Sequence, residues 1–383
     1  MKNLPPNLKL KLETREKASA LRALPKQSDR IDFHSNDYLG FAQNPKIQRL
    51  ARKLVKEHSQ AKNGATGSRL LSGNHNLYPV VEAQIARFHT VPKALVYNSG
   101  YNANIGFFSC VPQRGDVVFY DELSHASIRD GLQMNYAKNF SFKHNDLNDL
   151  QEKVQRIQSE KIRNIYVVTE SVFSMDGDSP DLVAFAEFCS QNDIYLVVDE
   201  AHALGVFGIR GRGLVDELGI QNQVFAQIIT FGKALGCHGA AVLCSEDVYT
   251  YLVNFSRSLI YTTGLPPEAI ATIGASYTKL ENPKKDNSRK ELQKNILHFN
   301  SEKKRLSLDK FSTQSDSAIH CCIVPGNEKV KSVAVILKSY GFEVKPILSP
   351  TVPEGKERLR FCLHSYNNFA EITEALEVVI NCI

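Results

Sequence analysis

The residues of this chain that could do chemistry sit where apolar runs stop. In "IITFGKALGCHGAAVLC" (228–244) an apolar run ends in Thr230, and Lys233 follows between Gly232 and Ala234. The pattern recurs upstream. Ser99, Gly100 and Tyr101 follow "KALVYN", while Asp121, Ser124 and His125 fall in "YDELSH". Glu170 and Ser174 lie in "TESVFSMDGD", and Asp199 and His202 close "VVDEAH". Buried charges are costly unless paired, so this many at strand ends are not all core residues. A lysine amine can form a Schiff base with a carbonyl. A carboxylate set against a ring nitrogen can keep a pyridinium protonated. The small residues around Lys233 leave space for a ligand to approach.

The elements that must hold these residues read as strands and helices in alternation. Short β-rich runs occur at 93–100, 116–123, 164–171, 194–202, 226–233 and 239–244. Helical stretches such as "LNDLQEKVQRIQSE" and "DLVAFAEFCSQN" lie between them. Continuous apolar strands with helical crossovers predict a sheet buried on both faces. Ligands of such sheets gather at the carboxyl ends of the strands. Residues 7–24 read as a charged amphipathic helix, and "RIDFHSNDYLGF" as a strand and then a turn. Beyond "GLPPEAI" (264–270) a long charged helical region precedes "AIHCCIVPG", "FEVKPILSP", "ERLRFCLHS" and a last helix, "NFAEITEALEVVI". The expected organisation is an N-terminal arm over 1–45, a large domain over 46–275 and a small α+β domain over 276–383.

Bulk properties narrow the classes. The 383 residues are 43% hydrophobic and 23% charged, as in an ordinary globular protein. Lys and Arg number 46 against 41 Asp and Glu, a net charge of +5 spread along the chain. That excess suits anionic small molecules better than nucleic acid, which calls for a clustered basic face. The N-terminus lacks a signal-peptide core, and no run approaches a membrane span. None of the eight cysteines forms a C-x-x-C pair. Reduced, buried thiols in a cytoplasmic protein, with no metal site, are expected. "GATGSRLLSG" (64–73) lacks the G-K-[ST] ending of a phosphate loop. "GVFGIRGRG" is not a dinucleotide fingerprint in register, and no G-x-G-x-x-G follows the first strand, which argues against a nicotinamide dehydrogenase.

Pyridoxal 5'-phosphate (PLP) satisfies all these demands: an aldehyde for Lys233, a ring nitrogen for Asp199, and a phosphate for Gly100, Tyr101 and Thr230. The motifs "NSGYNAN", "DELSHASIRDG", "FKHND", "VVTESVFSMDGDSPDL", "VVDEAHALGVFGIRGRG", "TFGKALGCHGAAVLCS", "LIYTTGLPP" and "SPTVPEGKERLRF" occur in order along the chain. In this set the sequence resembles the α-oxoamine synthases, PLP enzymes of fold type I. The resemblance implies an α/β large domain with a mostly parallel seven-stranded sheet and a small α+β C-terminal domain. It implies that Lys233 carries the cofactor, Asp199 pairs with the pyridine nitrogen, and His125 stacks on the ring. His202 and Ser174 would meet the cofactor's phenolic oxygen. Gly100, Tyr101 and Thr230 would hold the phosphate, with Thr263, or Thr262 beside it, reaching it across a homodimer interface. Arg360 would bind the amino-acid carboxylate, aided by Asn36, with Ser68 near the amino acid and Arg22 and Thr351 near the acyl substrate. For Arg22 a solvated helix face is the plain alternative.

The activity implied is an acyltransferase reaction, the decarboxylative condensation of L-alanine with pimeloyl-CoA or a pimeloyl-carrier protein. Lys233 would remove the Cα proton, and Arg360 would fix the carboxylate that is lost. Other members of the family join glycine or serine to other acyl thioesters. A non-catalytic partner subunit is the alternative from another class, opposed by the presence of Lys233, Asp199 and His125. Thr66, where glycine is common in the family, and Leu204, where threonine is, depart from its pattern. Cys237 and His238 are given no role.

Overall fold

The computed structural model describes residues 4–24, 26, 28–157, 162–282 and 286–383. The end of the predicted helix "LNDLQEKVQRIQSE" (158–160) and residues 283–285 lie outside them. Among the described residues twelve strands follow along the chain: β1 Ile31–Asp32, β2 Lys93–Tyr97, β3 Val117–Asp121, β4 Lys138–Phe142, β5 Ile165–Glu170, β6 Tyr195–Asp199, β7 Ala226–Thr230, β8 Ala240–Cys244, β9 Ile319–Ile323, β10 Phe342–Glu343, β11 Lys345–Ile347 and β12 Arg358–Cys362.

Seven of them form one sheet in the order β2-β8-β7-β6-β5-β3-β4. The pairs from β7 to β4 are parallel, and β8 runs antiparallel to both its neighbours. The expected mostly parallel seven-stranded sheet is therefore borne out. Its two faces bury different residues of the same strands. Val168 and Val197 pack with Phe107, Ile128 and Val242 on one face. Val167, Leu196 and Val198 pack with Phe185 and Val215 on the other. Each such side chain contributes about 1.5–3 kcal/mol when fully buried, which is why the strands read as unbroken apolar runs. The six runs read from sequence are all strands. Strand β4 was not foreseen. It is an edge strand in "KNFSF" with only Phe142 buried, so it carries no apolar signature.

Helix starts follow from local chemistry. The Ser99 side chain accepts from Asn102 N–H and caps the Gly100–Phe108 helix. Asp181 does the same for Leu182–Gln191, and His125 for Ala126–Gln133. The N-terminal helix covers only Pro6–Lys17 and buries no residue. Its leucines do not share one face, and Ser19, at φ 50°, turns the chain out of the helix. The amphipathic helix expected over 7–24 is thus shorter and uniformly solvated.

The chain divides into two compact units. The larger comprises Asn36–Ser174 and Asp178–Glu291, and the smaller comprises residues up to Ser35, Met175–Gly177 and Leu292–Ile383. Helix Pro267–Glu281 packs against helices Pro45–Glu57 and Leu77–His89, so residues past 275 stay with the larger unit. The N-terminal residues join the smaller one because Ile31 pairs with Phe342 and Asp32 with Glu343. In the smaller unit β11, β12 and β9 form an antiparallel sheet.

Candidate active site

In the larger unit the carboxyl ends of the strands open onto a cavity of ≈ 170 Å³ lined by Gly100, His125, Asp199, Thr230 and Lys233. The fold delivers these five residues from four separate segments, with Thr230 and Lys233 sharing the end of β7. Gly100 begins the helix after β2, and Thr230 ends β7. A Cβ on Gly100 would sit 3.5 Å from the Thr230 side chain, filling the cradle between helix N-terminus and hydroxyl. Tyr101 also lines the cavity, but its phenol turns away and donates to Asp130 Oδ2 at 2.7 Å. What it offers the cradle is its backbone N–H.

Asp199 ends β6 and is 5% exposed. Its charge is met on both oxygens. Ala201 N–H donates to Oδ1 at 2.9 Å, and Asn104 Nδ2 donates to Oδ2 at 2.9 Å. Asn104 Nδ2 also donates to Ser127 Oγ at 2.9 Å, and Ser127 Oγ lies 2.7 Å from His125 Nδ1. Ser127 N–H donates to the same ring nitrogen at 3.2 Å. Burial lowers the pKa of His125, and the charge of Lys233 adds to the effect while Asp199 opposes it. A neutral imidazole results, held by its own helix cap. Glu170 accepts from His125 N–H at 2.6 Å, and burial together with the neighbouring Asp199 pushes its pKa up to about 8.

Lys233 Nζ lies 2.7 Å from His202 Nε2, and His202 Nδ1 lies 2.7 Å from the Tyr38 hydroxyl. Tyr38 in turn donates to Asn36 Oδ1 at 3.2 Å. The turn after Lys233 needs its glycine. Gly236 has φ 61°, and a Cβ there would come within 2.1 Å of Ala42 N. Cys237 packs its thiol near Ser276 Oγ at 3.7 Å, which gives it a place in the core beside the site.

The "DEAHALGVFGIRGRG" run holds Asp199 and His202 from behind. Glu200 is fully buried, and its Oε1 accepts from Leu214 N–H at 2.6 Å and Val215 N–H at 3.0 Å. Arg289 donates to the carbonyls of Gly205, Val206 and Gly208. The glycines of this run let backbone approach backbone, with a Cβ on Gly208 meeting Gly213 O at 2.3 Å.

A second loop lies near the end of β2. Ser68 bridges to Thr263, and Asn98 Nδ2 donates to Thr263 O at 2.7 Å. Arg69 anchors the loop by a bidentate pair with buried Glu82, at 2.7 and 3.0 Å. Thr66 has φ 58°, a left-handed backbone that glycine adopts without strain, so the departure noted in the sequence falls where glycine is physically preferred. Ser174 is half-buried in the turn after β5. Ser68, Thr263 and Ser174 are not among the residues that line the cavity. In the smaller unit Arg22 Nη2 donates to Thr351 Oγ1 at 3.2 Å, and buried Arg360 donates to Cys362 Sγ at 2.8 Å.

Asn104, Ser127 and Tyr38 escaped the sequence reading as site residues, and Glu170 was noted there at a strand end without a role. Asn104 lies four residues after Gly100, one helical turn into the same helix, and that spacing was the available signal. Among the described residues no cluster of His, Cys, Asp and Glu could hold a metal ion, and no helix is long and apolar enough to cross a membrane.

A sheet of this topology with a lysine and an aspartate at neighbouring strand ends has known counterparts. The model of aminotransferase class I and II matches residues 28–379, and the chain belongs to that family. Within it, the chain is 39% identical over 379 residues to 8-amino-7-oxononanoate synthase of Emericella nidulans, covering 94% of this chain and 90% of the relative. Among solved structures it resembles a serine palmitoyltransferase variant of S. paucimobilis with bound PLP-myriocin aldimine, at TM-score 0.88 and 25% identity, over 98% of this chain and 96% of the other. It also resembles 8-amino-7-oxononanoate synthase of Francisella tularensis, at TM-score 0.77 and 29% identity, over 93% and 98%. The resemblance drawn from the motifs is borne out.

Proposed function

We propose that this chain condenses L-alanine with pimeloyl-CoA or a pimeloyl-carrier protein, using PLP, to give 8-amino-7-oxononanoate, CO2 and free thiol, a step of biotin biosynthesis. The observation that carries the reading is the Lys233 amine at a cavity whose other walls are Asp199, His125, Gly100 and Thr230. The donor set fits the cofactor part by part. Asn104 adds a buried amide oxygen without a hydrogen-bond partner on the cavity wall.

Lys233 would hold the aldehyde carbon covalently, and Asp199 would hold the ring nitrogen in its protonated form. His125, kept neutral, would lie against the ring face. Gly100 and Tyr101 N–H groups at the helix start, with the Thr230 hydroxyl, would bind the phosphate. Once bound, PLP supplies an electron sink for a carbanion at the amino acid's Cα. Lys233 Nζ, released when the amino acid's amine takes its place on the aldehyde carbon, would take the Cα proton and return one after carbon dioxide leaves. Asn104 and Ala201 would hold the Asp199 carboxylate aimed at the ring nitrogen. Arg360 would bind the amino-acid carboxylate, with Asn36 and Ser68 beside the amino acid, and Arg22 and Thr351 would contact the acyl chain. Ser174 and His202 would meet the phenolic oxygen. A homodimer, with Thr263 reaching the partner's phosphate site, completes the reading.

Identity to the Emericella enzyme favours alanine and a pimeloyl thioester. The higher TM-score to serine palmitoyltransferase supports a second reading, serine with a long acyl thioester. Thiol release measured for alanine, glycine and serine against pimeloyl, acetyl, succinyl and palmitoyl thioesters decides. Alanine with pimeloyl should be fastest, and serine with palmitoyl fastest would overturn the assignment. Lys233→Ala should lose the borohydride-trappable adduct and all turnover; turnover retained in that variant refutes the anchor.

A further inference from the structure

We propose that Tyr38 is a positioning residue for Lys233, acting through the tautomer of His202. The inference deepens the reading of Lys233 as cofactor anchor and rests on it for its chemical consequence. All the groups involved belong to the larger unit.

A chain of close contacts runs from Lys233 Nζ to His202 Nε2 at 2.7 Å, from His202 Nδ1 to Tyr38 Oη at 2.7 Å, and from Tyr38 Oη to Asn36 Oδ1 at 3.2 Å. Tyr38 is fully buried and His202 is 4% exposed. The Asn36 amide oxygen can only accept, so the Tyr38 hydroxyl proton points to it. The phenol's lone pairs then face His202, and the ring must donate through Nδ1–H. That leaves Nε2 as the acceptor facing Lys233. A lysine ammonium has donors and no acceptor, so the direction is consistent at both ends. The reverse tautomer would set an Nε2–H against the ammonium and turn the bare Nδ1 lone pair toward the lone pairs of Tyr38 Oη.

The consequence concerns one proton. To attack an aldehyde, Lys233 must lose a proton from Nζ. His202 Nε2 is placed to receive it, giving a neutral amine and an imidazolium. The imidazolium keeps its Nδ1–H on Tyr38 Oη, whose O–H remains on Asn36. No further acceptor is needed. Asp199, Glu170 and His125 face the same cavity and are untouched by a change at Tyr38. The "SNDYLG" turn thereby acquires a task for its tyrosine as well as for Asn36.

The test uses the full chain labelled with 15N-histidine, without cofactor, with His202→Gln to assign the resonance. Wild type should show a protonated Nδ1 and an unprotonated Nε2 on His202. Tyr38→Phe keeps the ring and removes the acceptor, so the ratio of Nδ1–H to Nε2–H should fall by roughly tenfold. PLP is then added at neutral pH and trapped with borohydride. Trapping should be roughly tenfold slower in Tyr38→Phe and recover as pH is raised, because solvent then removes the lysine proton. An Nε2–H tautomer in wild type overturns the proposal, even if the variant does not fold. So does an unchanged ratio in a folded variant, or an unchanged trapping rate. Failure of wild type to trap at all would instead refute Lys233 as anchor, and the tautomer measurement would still judge Tyr38.

Discussion

His144 offers a sharp test of how the site's frame is held. Its ring bridges two carboxylates, Asp121 Oδ1 at 2.9 Å and Asp178 Oδ2 at 2.8 Å, and meets Phe173 edge-on at 4.4 Å. Asp121 ends β3, just before His125, and Asp178 closes the turn that carries Ser174. Desolvation opposes the charge, but hydrogen bonds to Asp121 and Asp178 outweigh it and raise the pKa of His144 from 6.5 to about 10. The gap is about 5 kcal/mol at about 1.4 kcal/mol per pH unit. The side chain is 21% exposed, so water screens part of this, and breaking the bridge is expected to cost about 3 kcal/mol.

The pH window follows from the sign. The folded pKa is raised, so the contribution is fully present below the unfolded value of 6.5 and is lost as pH climbs toward about 10. His144→Gln should therefore unfold at lower urea than wild type near neutral pH, and the difference should shrink steadily toward about pH 10. The His144 ring proton, followed by NMR in the wild-type chain, should titrate well above 6.5. A difference that holds constant with pH, or a ring that titrates near its ordinary value, would refute the imidazolium bridge.

Two further outcomes follow from buried carboxylates. Glu170 keeps its proton up to about pH 8 in the folded chain, whereas unfolded glutamate releases it near 4.5, so folding stability falls as pH rises through that window. Glu170→Gln removes that slope and should raise stability at pH 8 relative to wild type; equal slopes by urea titration would contradict the protonated form. Gly213 has φ 122°, and a Cβ there would meet Glu200 Oε2 at 2.3 Å. Gly213→Ala should cost about 3 kcal/mol, from backbone strain and the displaced caps on Leu214 and Val215, and a loss under about 1 kcal/mol would show that Glu200 can move aside.

How much of this was legible follows from which interactions are local. The strands were legible because a two-faced sheet forces continuous apolar runs such as "NIYVVTES". Asp199 and Lys233 were legible because charge at the end of such a run has no structural excuse. Strand β4 was not, since an edge strand faces water and "KNFSF" needs only Phe142 inside. The grouping of the N-terminal residues with the C-terminal region was not, since the pairing of Ile31 with Phe342 leaves no mark in either neighbourhood.

The residues missed at the site, and Glu170, which had been given no role, each touch a residue that was found. For Asn104, Glu170 and Tyr38 the partner is remote in sequence, and for Ser127 it is His125, two residues before it. Their types were free to be read as core or cap. Yet they hold the found residues in place. Two donors, Asn104 Nδ2 and Ala201 N–H, make a buried aspartate tolerable, and burial lowers the pKa of His125 while Ser127 N–H fixes its Nδ1. A site built only of Lys233, Asp199 and His125 would have the groups without the contacts that orient them. The supporting shell fixes where a lysine, a carboxylate and an imidazole at strand ends point, through Tyr38 behind His202, Asn104 on Asp199 and Ser127 on His125.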